Sequence, residues 1–159
     1  MAITPNTDFT SGQILTAQQQ NNFPRGLVAL AQSTTTQNTI TTEVLATGMS
    51  VTFTAVANRN YKVIYREGTL TKSASIGNVD LRVRLTNLAG SEVAAGTFQM
   101  QASVNQTAEI SIIRTFTAGS ITLVGTAASV VSGSVNLRRD LFSASLAAAS
   151  LEVYDMGTA

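Results

Sequence analysis

From Gly26 to the end of the chain, apolar side chains recur at every second position, the period of a half-buried strand rather than of a helix. Leu81, Val83 and Leu85 alternate with Asp80, Arg82, Arg84 and Thr86. Tyr61, Val63 and Tyr65 share one face of a longer run, and Val51 and Phe53 alternate with Thr52 and Thr54. The same pattern returns at Phe98, Met100 and Ala102, at Ala108, Ile110 and Ile112, along Ile121 to Val124, and at Leu151 and Val153. Leu27 to Ala31 reads as a short apolar strand, followed by a polar run from Gln32 to Thr39. Turn residues separate the runs at Asn58-Arg59-Asn60, Ile76-Gly77-Asn78, Leu88 to Ser91, Val104 to Gln106 and Ala118 to Ser120. Ala144 to Ser150 reads either as helix, by propensity, or as a loop into the last strand. No alternation of helix and strand predicts a parallel sheet.

Roughly eight strands at short, regular spacing predict an all-β fold, a single antiparallel β-sandwich. A jelly roll is the expected connectivity and an immunoglobulin-like one the alternative, because both give the same alternation. Gly68–Gly77 and Gly125–Arg138 read as strand-end loops.

Residues 1–26 break the pattern. They carry both prolines of the chain, Pro5 and Pro24, and their charges are Asp8 and Arg25. Thr16 followed by Gln19 predicts a capping box at the start of a short helix, which Asn22 and Pro24 then stop. A helix this short is not stable alone in water. It must lie on its own domain, on a sister chain or on a partner. Phe9, Ile14, Leu15, Phe23, Pro24 and Arg25 are its candidate partner-binding residues. The expected organisation is a docking arm over 1–26 and a β-sandwich domain over 27–159.

Composition narrows the chemistry. Charged residues make up 12% of the chain, about half the usual share; Thr, Ser, Gln and Asn replace them and favour close packing in an assembly. Net charge is +1, so nothing supplies the bulk phosphate neutralisation that nucleic-acid binding needs. Arg138-Arg139, closed off by Asp140, reads as a turn or an ion pair. Without Cys or His the chain has no disulfide, no Ser-His-Asp triad, no Cys nucleophile and no usual zinc site. No catalytic, cofactor-binding or metal residue is expected. The remaining possibility is a carboxylate pair, for which Glu67 and Asp80 on neighbouring predicted strands are the candidates; pairing with Arg66, Arg82 or Arg84 is the structural alternative. Tyr61, Tyr65, Phe98 and Phe116 would suit either a sugar-binding face or the core, and their positions on alternating apolar faces favour the core. No signal peptide or apolar stretch of membrane-spanning length is visible, so no membrane partner is expected.

Three stretches resemble a known family. Asp8 to Gln18 followed by Asn21-Asn22-Phe23-Pro24-Arg25-Gly26-Leu27 looks like the N-terminus of small tailed-phage virion proteins. Val51 to Val63 is similar to a hairpin in those proteins, and Leu151-Glu152-Val153-Tyr154-Asp155-Met156-Gly157 to their closing strand. Phe23 stands where Leu is usual, and Asn58 where Gly is common. The resemblance implies a structural component of the virion, made in the host cytoplasm, of the head-decoration, head-fibre or minor-tail type. It implies other virion proteins as partners, a homo-oligomer with a trimer favoured, and, as the alternative role, binding of a host-surface receptor or glycan.

Overall fold

The computed structural model describes Gly12, Ile14 and residues 16–73, 76–131, 133–139 and 148–159. A short helix, α1 (Ala17–Asn22), precedes β1 (Gly26–Ser33), β2 (Gln37–Ile40), β3 (Val44–Ala55), β4 (Arg59–Lys72), β5 (Gly77–Leu85), β6 (Glu92–Met100), β7 (Gln106–Thr115), β8 (Gly119–Val130), β9 (Val135–Leu137) and β10 (Ala149–Thr158).

The strands form two antiparallel sheets. In the first, β4 pairs with β7 on one side. On its other side it pairs with β10 along Arg59–Arg66 and with β9 along Leu70–Lys72. β1 and β2 then line the outer edges of β10 and β9. The second sheet runs β3-β8-β5-β6. With β1/β2 and β9/β10 each laid end to end, the strands fill four positions per sheet. Of the connections outside those two pairs, only the β5–β6 turn stays within its sheet; the rest cross the sandwich. This is jelly-roll connectivity and not the immunoglobulin-like alternative.

The inward faces supply the core that the period-2 pattern predicts. Tyr61, Val63, Tyr65, Leu151 and Val153 of the first sheet meet Phe53, Val79, Leu81, Val83 and Leu123 of the second, none more than 6% exposed. Burial at this level contributes about 1.5–3 kcal/mol per large aliphatic side chain. Phe53, Tyr61 and Phe116 form an aromatic cluster with centroids 5.2–5.9 Å apart. Tyr61 and Tyr65 are therefore core residues, and Phe98 and Phe116 pack against the core.

Several sequence expectations are corrected. The segment Val51–Val63 is not a hairpin: β3 and β4 lie in opposite sheets, and the chain crosses between them at Asn58. Asn58 adopts φ +58°, a left-handed conformation that Asn and Gly tolerate best, so it can stand where a Gly is common. Arg59 belongs to no turn; it opens β4 and is 3% exposed. Much of the two predicted loops is strand. β4 runs through Gly68 to Lys72 and β8 through Gly125 to Val130, where successive residues on both faces are largely buried and alternation is lost. β2, short and polar, and β9, only three residues long, gave no periodic signal. Of the Ala-rich stretch, residues 144–147 lie outside the described residues, while Ala149 and Ser150 open β10.

Candidate functional site

The arm is held by a node at one end of the first sheet. Thr16 caps α1 as the sequence predicts: Gln19 N–H donates to Thr16 Oγ1 at 3.2 Å, and Thr16 N–H donates to Gln19 Oε1 at 2.9 Å. Phe23 is extended and its N–H closes the last turn onto the Gln20 carbonyl at 3.2 Å. The carbonyls left over at a helix C-terminus need donors. Arg59 supplies them, donating from Nη1 to the Asn21 carbonyl and from Nη2 to the Phe23 carbonyl at 2.5 Å.

Arg59 is itself fixed by Asp155 on β10. The guanidinium donates from Nε to Oδ2 at 2.7 Å and from Nη2 to Oδ1 at 2.8 Å, the bidentate geometry of a strong pair. Both residues are nearly inaccessible, at 3% and 1% exposed. Asp155 Oδ1 also accepts from Gly157 N–H at 2.9 Å. Gly157 has φ +99°, which favours glycine, and a Cβ there would sit a tight 3.1 Å from the Asn22 carbonyl. A shallow cleft of about 310 Å³ runs between α1 and the β3–β4 crossing.

The three stretches that resemble the phage proteins thus converge. Arg59 comes from the second, Asp155 and Gly157 from the third, and the accepting carbonyls from the first. Sequence reasoning on chemistry missed all three of these residues, because an Arg and an Asp 96 positions apart carry no local sign of pairing. Their only signal was membership of the resembling stretches.

The predicted partner-binding residues fall differently. Phe9 and Leu15 lie outside the described residues. Ile14 is 87% exposed and Phe23 36%. Pro24 is exposed, and Arg25, also exposed, approaches Asp155 at 4.0 Å. Arg59 holds the arm through its backbone carbonyls, and Ile14 and Phe23 are exposed. Leu27, Val28 and Leu30 on the neighbouring edge strand β1 extend this exposed apolar run.

The candidate carboxylate pair does not form. Glu67 and Asp80 lie in different sheets. Glu67 is fully buried against Arg139, with Arg139 Nε donating to Oε2 at 3.0 Å and Nη2 to Oε1 at 2.5 Å. Tyr65 Oη donates to the same carboxylate at 2.5 Å. Burial, followed by the Glu67 charge, pushes the Tyr65 phenol well above its ordinary range. Arg139 Nη1 reaches Ser33 Oγ, the Thr35 carbonyl and the Thr47 carbonyl, tying β1, the β1–β2 connection and β3 together. Arg139 is thus an ion-pair residue, as one of its two readings held, but is in no way solvated. Asp80 pairs with Arg82 at 2.7 Å on the outer face of the second sheet.

No protein-family model matches the chain, and no curated protein matches it. Among solved structures, it is similar to a chain of infectious bursal disease virus, Gx strain, at 14% identity and TM-score 0.39, covering 98% of this chain and 43% of that one. It is similar to a carbohydrate-binding module from Cellvibrio mixtus lichenase 5A in complex with cellotriose, at 16% identity and TM-score 0.34, covering 80% of this chain and 96% of that one. It is also similar to the enzymatically active domain of a bacteriophage CBA120 tailspike protein, at 14% identity and TM-score 0.30, covering 67% of this chain and 18% of that one. The chain therefore spans less than half the length of the first and less than a fifth of the last. These neighbours are a viral structure, a carbohydrate-binding module and a phage tailspike, and the jelly roll itself rests on the strand order described above.

Proposed function

We propose that this chain is a non-enzymatic structural component of a tailed-phage virion, an exterior capsid-decoration or head-fibre protein anchored by its N-terminal arm. The observation that carries the reading is the arm's mode of attachment. Its backbone is clamped by Arg59 at the end of the jelly roll, and Ile14, Phe23, Leu27 and Val28 are left exposed. Exposed large apolar side chains gathered along one stretch of chain suit an interaction surface. The partner is another virion protein, a major capsid or tail protein. A homo-oligomer, with a trimer favoured, agrees with the low charge and Thr-rich outer faces.

Removing residues 1–26 entirely would strip two carbonyl acceptors from buried Arg59, so side-chain replacement is the cleaner test. In virions purified from a lysate, Ile14→Asp with Phe23→Asp is expected to reduce incorporation at least tenfold, with the isolated variant melting as the parent does. Wild-type incorporation of that variant would overturn arm docking. An alternative role, a minor tail or tail-fibre protein binding a host-surface glycan, draws support from a cleft at the opposite end of the molecule.

A further inference from the structure

β4 starts at the arm and ends, roughly 45 Å away at strand rise, at Lys72. Beside that far end lies a cleft of about 380 Å³ lined by Ile76, Gln99, Met100, Gln101, Val104 and Gln106. Its size falls at the lower end of small-ligand sites, about 300–1,000 Å³. Among the described residues, none of the lining side chains is charged. Gln99, Gln101 and Gln106 are exposed, and their amides have no hydrogen-bond partner among the described residues. Ile76 and Val104, 61% and 42% exposed, add apolar surface beside them.

The walls are held by a buried cation. Lys72 is 1% exposed, and its Nζ donates to Ser129 Oγ at 2.7 Å and to the carbonyls of Asn78 and Val130 at 3.3 and 3.5 Å. Its own carbonyl accepts from Ser103 N–H at 2.9 Å, which fixes the β6–β7 connection. Gly77 admits the lysine stem, since a Cβ there would lie 2.3 Å from Lys72 Cε. The cleft is therefore preformed by interactions that do not use its glutamines.

We infer that this cleft binds an uncharged glycan. An amide offers a donor and an acceptor side by side, which matches hydroxyls that both donate and accept. The lack of lining charge disfavours phosphorylated or acidic sugars, and Ile76 and Val104 fit the apolar C–H face of a sugar ring. With no aromatic side chain among the described lining residues, one site is weak, and copies on a particle would raise the avidity. The inference deepens the glycan-receptor reading and is independent of arm docking.

The test is an NMR titration of the full ¹⁵N-labelled chain. The probes are neutral trisaccharides of glucose, mannose, galactose and N-acetylglucosamine, with sialyllactose and trigalacturonate as charged controls. The side-chain amide resonances of Gln99, Gln101 and Gln106 are expected to shift with at least one neutral sugar. Gln99→Ala with Gln106→Ala is expected to weaken that binding about tenfold, the loss of one or two hydrogen bonds, with melting and virion incorporation unchanged. No shift with any neutral sugar, shifts with charged sugars alone, or binding untouched by the double substitution overturns the glycan assignment. Absence of the wild-type chain from virions would instead overturn the structural role.

Discussion

Arg139 has no exposed surface, and its guanidinium is engaged by Glu67, Ser33, Thr35 and Thr47. A charge this deep is tolerated because its partner carboxylate and its remaining acceptors are all in place. Arg139→Met would leave Glu67 buried and unpaired, at an expected cost of about 3–5 kcal/mol in urea unfolding. Adding Glu67→Leu should restore more than half of that loss, because replacing both members of a buried pair by apolar groups is often close to neutral. A double variant no more stable than the single one would show that the clamp contributes more than the pairing of two charges. In sequence, Arg139 is half of a dipeptide that reads as a turn or an ion pair, with no partner indicated. Its partners stand 72 and 106 positions earlier, and only the closed sandwich brings them together.

At the scale of elements, the strand pattern was legible wherever one face is buried and the other is wet. β5 is the clearest instance: Val79, Leu81 and Val83 face the core, while Asp80, Arg82 and Arg84 face outward. The outward residues also explain how a sparsely charged chain uses its charges. Glu43, just before β3, accepts from Arg84 Nε at 2.6 Å and Nη2 at 2.8 Å, from Thr126 Oγ1 at 2.7 Å and from Arg82 at 3.3 Å. The Arg84 hydrogen bond, opposed by burial, holds the Glu43 carboxyl below its usual 4.5. A carboxyl lowered by folding stabilises above its unfolded value, and that contribution is lost as pH falls through the folded one. Glu43→Gln should therefore cost about 1 kcal/mol at pH 7, or about 2–4 °C in Tm, and the gap to wild type should close as pH falls below the carboxyl's usual 4.5. A gap that persists in acid would place the effect in packing rather than in charge.

At the scale of the whole molecule, the arm, the β3–β4 crossing and the last strand are coupled through one guanidinium. Arg59→Lys would keep a cation beside Asp155 but lose the fork that also reaches the Asn21 and Phe23 carbonyls. Losing such charge-assisted bonds costs about 1.5–3 kcal/mol, so trypsin cleavage after Arg25 should accelerate about tenfold or more while β10 stays protected from hydrogen exchange. Equal loosening of β10 would mean that the node stabilises the sandwich as a whole and does not fasten the arm specifically.

The sequence by itself determined that the chain is a β-sandwich with a capped helical arm, because alternation and capping are local and reach only a few residues along the backbone. It also placed the aromatic residues in the core, since their faces were set by the same alternation. The choice of jelly roll, the separation of β3 from β4, the burial of Arg59, Lys72 and Arg139, and the glutamine-lined cleft were decided only by the tertiary structure. Each depends on which sheet a strand joins. That is settled by closing loops across the sandwich and by satisfying polar groups between residues far apart in the chain, and a period of two carries no record of either.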